Sequence, residues 1–221
     1  MNIAENILKH NLQNVYFLVG TPLAGKTTMA EILAEKHDLI YFSEDWYTDS
    51  FKRFRELCDE KYQPYSSKKE TTVDWEAHFG KSLEEFLADD SASKGNKECI
   101  EFALIELIKL SQEQKVITDV LIPIPLVTEI SDHSRIACLL ASPELITCEN
   151  YGKRDSHKAF LDCLNALKEP EKKIAVQDEL FRLRAELTYE EARQRQLFTI
   201  VRTEESAIED TRQKLEEHFL L

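Results

Sequence analysis

Gly20-Thr21-Pro22-Leu23-Ala24-Gly25-Lys26-Thr27 matches the pattern G-x-x-x-x-G-K-[ST] at every required position. Upstream lies Val15-Tyr16-Phe17-Leu18-Val19, an apolar, β-branched and aromatic run that predicts a buried strand. Downstream, Met29, Ile32 and Leu33 recur at helical spacing, with Ala30 and Ala34 among them and no breaker before His37. A strand, a glycine-bounded loop and a helix in that order aim backbone N–H groups and a helix N-terminus at one anionic group. Within such a loop Lys26 is placed to reach terminal phosphates as a point charge, and the Thr27 hydroxyl to ligate Mg²⁺. The chain has only five glycines, and two of them occupy the pattern's glycine positions. An ordinary strand-to-helix turn, the competing explanation, accounts for none of Gly20, Gly25, Lys26 and Thr27 together.

Length and charge set the frame around this loop. The 221 residues suit one domain with a sizeable core, and the apolar (43%) and charged (31%) fractions are those of a soluble globular protein. No apolar run approaches a membrane span, and the first ten residues lack the apolar core of a secretory signal, so the expected location is the cytoplasm. The net charge of −13 argues against nucleic-acid or membrane-surface partners, whose binding rests on basic patches. It does not argue against a nucleotide, because a phosphate loop is local and built largely from backbone donors. The cysteines (Cys58, Cys99, Cys138, Cys148, Cys163) are odd in number and widely spaced, which reads as bystander thiols rather than a metal or disulfide framework.

Five strands are predicted along the chain: Val15–Val19, Leu39–Phe42, Lys115–Asp119, Arg135–Leu140 and Leu197–Arg202. Helical patterns fall over Thr27–His37, Trp46–Glu60, Ser82–Ala88, Lys97–Ser111, Pro143–Asn150, Ser156–Leu167, Val176–Gln196 and Glu205–Phe219. Strands alternating with helices imply an α/β fold, a parallel sheet with helices on both faces. Ligands of such sheets bind beyond the carboxyl ends of the strands. Two stretches break the rhythm. Tyr62 to Gly80 is loop-like, and Asn150 to Pro170 is dense in charge; long insertions of this kind usually carry function. They are expected to supply a substrate-covering insertion (about 46–96) and a lid (about 150–175) on one domain spanning 1–221.

The strand ends hold the candidate chemistry. Asp119 closes the third strand, where a carboxylate beside a phosphate loop can hold Mg²⁺; a strand-end cap is the alternative. Asp45, with Glu44 competing, follows the second strand and can accept or orient a substrate hydroxyl proton while a phosphoryl group moves. The competing use of Asp45 is a helix N-cap. Lys153 and Arg154 follow Gly152, with His157 and Lys158 one turn on. A mobile cation closing over the transferred group lowers the barrier, and the planar fork of Arg154 suits phosphate better than an ammonium. A solvated charge cluster is the plainer reading. Arg182, Arg184, Arg193 and Arg195 are read mainly as surface partners of neighbouring glutamates. Trp46, Tyr47 and Trp75 fit a substrate pocket or a core equally well.

Taken together, the loop, the strand-end carboxylates and the basic segment resemble the P-loop kinases of small molecules, in the nucleoside-monophosphate-kinase-like group that includes shikimate, gluconate and chloramphenicol kinases. The resemblance spans most of the chain as an order of elements and is specific at Gly20–Thr27. It implies a three-layer αβα fold whose five parallel strands run in the order 2-3-1-4-5. It also implies donor phosphates on Gly20 through Thr28, an acceptor contact at Asp45 and a lid arginine at Arg154. Shikimate kinases carry an Asp-x-Asp pair and a glycine triplet after the third strand. Here the corresponding stretches read Ser43-Glu44-Asp45 and Asp119-Val120-Leu121, which argues against shikimate as the acceptor.

The leading expectation is therefore an ATP- and Mg²⁺-dependent kinase acting on a small-molecule acceptor. The alternative is a nucleotide-dependent regulatory ATPase with a protein partner. A guanine-specific switch is disfavoured, because Asn96-Lys97 is followed by Glu98-Cys99 rather than by the x-Asp of the Asn-Lys-x-Asp motif.

Overall fold

Val15-Tyr16-Phe17-Leu18-Val19 lies at the centre of the molecule. The computed structural model describes residues 3–43, 74–88, 91–153 and 158–221. Within it the strands are β1 (Val15–Gly20), β2 (Ile40–Phe42), β3 (Val116–Thr118), β4 (Ile136–Ala141) and β5 (Phe198–Arg202). They form one sheet in the order β2-β3-β1-β4-β5, and every pairing is parallel. The register sets Val15 beside Val116, Phe17 beside Ile136, Ile40 beside Val116 and Ala137 beside Phe198.

The helices are α1 (Ile3–Asn11), α2 (Lys26–His37), α3 (Trp75–Phe79), α4 (Leu83–Ala88) and α5 (Ser91–Ser111) in the first half. The second half adds α6 (Ile124–Ile130), α7 (Cys148–Gly152), α8 (Lys158–Asn165), α9 (Pro170–Gln194) and α10 (Ile208–Phe219).

Both faces of the sheet are covered, which is why its central strands are apolar at consecutive positions rather than alternating with polar ones. Successive side chains of a strand point to opposite faces. Val15, Phe17 and Val19 of β1 join Ile136, Cys138 and Leu140 of β4 in one core, closed by Leu107 of α5, Val127 of α6 and Ala192 of α9. Tyr16 and Leu18 join Ala137 and Leu139 in the other, closed by Met29 and Leu33 of α2 and by Leu215 and Phe219 of α10. A third cluster lies apart from the sheet. Phe79 of α3, Phe86 of α4, Cys148 of α7, Leu164 of α8 and Leu180 of α9 form it. The 25 residues of α9 thus run from this helical lobe into the sheet core.

Three local readings change. Over its described part the loop-like stretch before Gly80 is helical: the Asp74 carboxylate accepts from Ala77 N at 3.0 Å and starts α3. The helix expected over Pro143–Asn150 is two pieces, a 3₁₀ turn at Pro143–Leu145 and α7, because Thr147 Oγ1 caps Asn150 N at 3.1 Å and begins a new helix. Finally α1 and α6 are additional helices; Pro125 sits in the first turn of α6, where its missing N–H costs nothing. The helix expected over Trp46–Glu60 lies outside the described residues. Among the described residues no helix is long and apolar enough to cross a membrane.

Candidate active site

The Gly20–Thr27 loop joins β1 to α2 at the carboxyl edge of the sheet. Gly20 has φ 128°, and a Cβ built there would stand 1.8 Å from the Leu139 carbonyl oxygen, so only glycine fits against β4. Thr21 then continues the pairing beyond the strand. Its N–H donates to Leu139 O at 3.1 Å, and its hydroxyl oxygen accepts from Ala141 N at 2.7 Å. Leu23 adopts φ 63°, a strained value for a branched residue, and its carbonyl accepts from the Arg202 guanidinium at 2.5 Å. Gly25, at φ 86°, turns the chain into α2, whose first-turn N–H groups have no intrahelical acceptor. A concave run of amides at a helix N-terminus is an anion site by construction.

Lys26 folds back over the loop, its ammonium donating to Thr21 O at 2.7 Å and to Gly20 O at 3.3 Å. One residue on, Thr27 Oγ1 donates to Asp119 Oδ2 at 2.6 Å. Asp119 is carried there by the end of β3. Thr118 Oγ1 donates to Phe42 O at 2.9 Å and accepts from Val120 N at 3.2 Å, tying the ends of β2 and β3 together. Tyr41 of β2 donates its hydroxyl to the other Asp119 oxygen, Oδ1, at 2.9 Å. Burial, and after it the neighbouring Asp119 charge, pushes the Tyr41 phenol well above its ordinary range, so it remains a donor.

These groups open onto a cleft of about 120 Å³ lined by Gly20, Lys26, Asp119, Leu121, Thr188 and Glu191, among others. Leu121 is 70% exposed and stands at its rim. Thr188 and Glu191 come from α9. Among the described residues no donor is paired with the Glu191 carboxylate.

The structure brings Gly20, Thr21, Pro22, Leu23, Ala24, Gly25, Lys26, Thr27, Thr28 and Asp119 to one sheet edge. Asp45, its competitor Glu44, and Arg154 lie outside the described residues, as do Trp46, Tyr47 and His157. Lys153 does not reach the loop; its ammonium pairs along its own helix with Glu149 at 3.1 Å and Asn150 at 3.0 Å. Arg182 pairs with Glu179 at 2.5 Å and Arg193 with Glu190 at 2.8 Å on the surface of α9, while Arg195 donates to Thr128 at 3.0 Å. Trp75 is 46% exposed and stacks on Phe79 in the helical lobe. Cys138 and Cys148 are buried, and burial raises the Cys138 thiol to about 12. Sequence reading passed over Tyr41 and Arg202. Both end or nearly end an edge strand, the position from which such sheets reach a ligand.

The two oxygens that converge beside Lys26, Thr27 Oγ1 and Asp119 Oδ2, are hard donors of the kind magnesium takes, so the residues present fit that ion. No protein-family model and no curated protein matches the chain. Solved structures do match its fold. The shikimate kinase of Bacteroides thetaiotaomicron is 17% identical, covers 94% of this chain and 98% of its own, and superposes with a TM-score of 0.51. A shikimate kinase from Acinetobacter baumannii in complex with shikimate (19% identity, 93% and 92% coverage) gives a TM-score of 0.46. A dephospho-CoA kinase from Campylobacter jejuni (16%, 92% and 94%) gives 0.42. The first of these structures shows that the chain has the P-loop kinase fold, with the strand order that the resemblance implied.

Proposed function

We propose that the protein is an ATP- and Mg²⁺-dependent kinase that phosphorylates a small molecule. The observation that carries the reading is the Thr27–Asp119 contact at 2.6 Å, set beside Lys26 at the mouth of an amide-lined loop. Magnesium held by Thr27 and Asp119 would supply the charge neutralisation that phosphoryl transfer needs. Loop amides from Gly20 to Thr28 bind the donor phosphates. The Lys26 ammonium exchanges the Gly20 and Thr21 carbonyls for phosphoryl oxygens. Asp45 accepts the proton of the acceptor hydroxyl as its oxygen bonds to the γ-phosphorus and the bond to ADP breaks. Arg154, on a lid over about 150–175, covers the transferred group. The helical lobe and the insertion over about 46–96 enclose the acceptor.

The cleft wall narrows the acceptor class. Leu121 offers an apolar contact, while Thr188 and Glu191, whose carboxylate has no donor among the described residues, offer acceptors for a hydroxyl or an ammonium. We ascribe to the site an acceptor with neutral or cationic polar groups rather than a second carboxylate. The test is ADP release over a panel of alcohols, amino alcohols and hydroxy acids, run beside calorimetry with AMP-PNP and MgCl₂. Acceptor-stimulated turnover is expected with the first two classes. Nucleotide binding with no stimulation by any of them would refute the kinase reading.

A further inference from the structure

The two oxygens of Asp119 have different partners. Oδ2 accepts from Thr27 at 2.6 Å, on the side of the phosphate loop, and Oδ1 accepts from the Tyr41 hydroxyl at 2.9 Å. Tyr41 is not free to give this bond up. Its ring packs against the core on the α2 face of the sheet, and its backbone is paired in register with Ile117, two residues before Asp119. Packing and register together keep its hydroxyl aimed at Oδ1.

We propose that Tyr41 makes this site select magnesium over calcium by holding one oxygen of Asp119 away from the ion. The inference rests on the nucleotide-binding part of the function proposed above. Its physical basis is the difference in how the two ions use carboxylates. Magnesium needs near-octahedral geometry at about 2.0–2.1 Å and keeps several waters, so one carboxylate oxygen suffices. Calcium is larger, takes more oxygens at about 2.3–2.6 Å, and commonly draws both oxygens of a carboxylate. An Asp119 whose second oxygen is engaged by a phenol serves the first ion fully and the second poorly. Thr27, which offers a single hydroxyl, cannot make up the difference.

The experiment is calorimetry of AMP-PNP binding in MgCl₂ and in CaCl₂, with the wild-type protein and with Tyr41→Phe. Wild type is expected to bind the nucleotide at least about tenfold more tightly with magnesium. In Tyr41→Phe that ratio is expected to narrow about tenfold, chiefly through tighter binding with calcium, while affinity with magnesium changes little. A merely structural role for the phenol would weaken both complexes alike and leave the ratio unchanged, which overturns the proposal. Equal affinity with the two metals in the wild-type protein overturns it without any variant. No heat with either metal removes the nucleotide reading itself, an outcome distinct from binding with an unaltered ratio.

Discussion

The Lys26 ammonium donates to two neutral carbonyls, Gly20 O and Thr21 O, which hold it less strongly than charged phosphate oxygens would. Its contribution is therefore to developing charge and not to the core. Lys26→Ala should lower acceptor-dependent ADP release by at least about 10²-fold. Its melting temperature should stay within a few degrees of wild type. Arg202 acts differently, by holding the strained Leu23 carbonyl. Arg202→Ala should weaken AMP-PNP binding about 5- to 20-fold in calorimetry, the equivalent of one lost charge-assisted bond. Glu191→Gln should raise KM for an amino-alcohol acceptor and leave the nucleotide affinity alone; an unchanged KM would detach Glu191 from the acceptor. At this scale the sequence was legible wherever the site is local. Gly20, Gly25, Lys26 and Thr27 are neighbours in the chain, and their spacing alone marks them. Asp119 was legible only as a strand end. Tyr41 and Arg202 were not, because they meet their partners across 78 and 179 residues, a proximity created by strand order.

Among the elements, the junction of α2 with α10 offers a clean test of electrostatics. Glu216 of α10 accepts from Lys36 at 2.8 Å, from His37 at 2.7 Å and from Arg212. The bonds from Lys36 and His37, followed by that from Arg212, hold its carboxyl down from 4.5 to about 2. A group whose folded value is depressed stabilises above its unfolded value, and that stability is lost as pH falls from about 4.5 toward 2. Glu216→Gln should thus melt about 2–4 °C lower at neutral pH, if screening leaves on the order of 1 kcal/mol. The gap to wild type should close across the acid window, as followed by circular dichroism. All five strands were legible as short runs rich in β-branched and aromatic residues; β1, β3 and β4 are also buried on both faces, whereas β5 alternates half-buried and exposed positions. Helix limits were less so. At α6 no helix was expected, and the fold places Pro125 in its first turn. At Pro143–Asn150 the cap at Thr147 outweighs the continuous helical pattern.

On the scale of the whole molecule, α9 is the connection between the sheet core and the helical lobe. Its first half packs Leu180 with Phe79, Phe86 and Leu164, and its second half packs Ala192 beneath β1 and β4. Because one continuous helix belongs to both, a swing of the whole lobe would require α9 to bend. Closure over a ligand is instead expected in the short helices α7 and α8. Amide hydrogen exchange should slow in Lys158–Asn165 when AMP-PNP and MgCl₂ are added, while Leu180–Ala192 stays protected throughout. Uniform slowing along α9 would mean that the lobe moves as one piece.

The contact of Gly20 with the Leu139 carbonyl, and the Thr21 bonds that prolong it, bear on how quickly a nucleotide is captured. A phosphate cradle stitched into its neighbouring strand cannot loosen unless the sheet itself parts. Its shape is therefore settled at the moment of folding, and an arriving polyphosphate meets finished architecture. The capture step itself should then need no rearrangement of the loop, and the first stopped-flow phase should rise linearly in rate with nucleotide concentration, distinct from any later closure of α7 and α8.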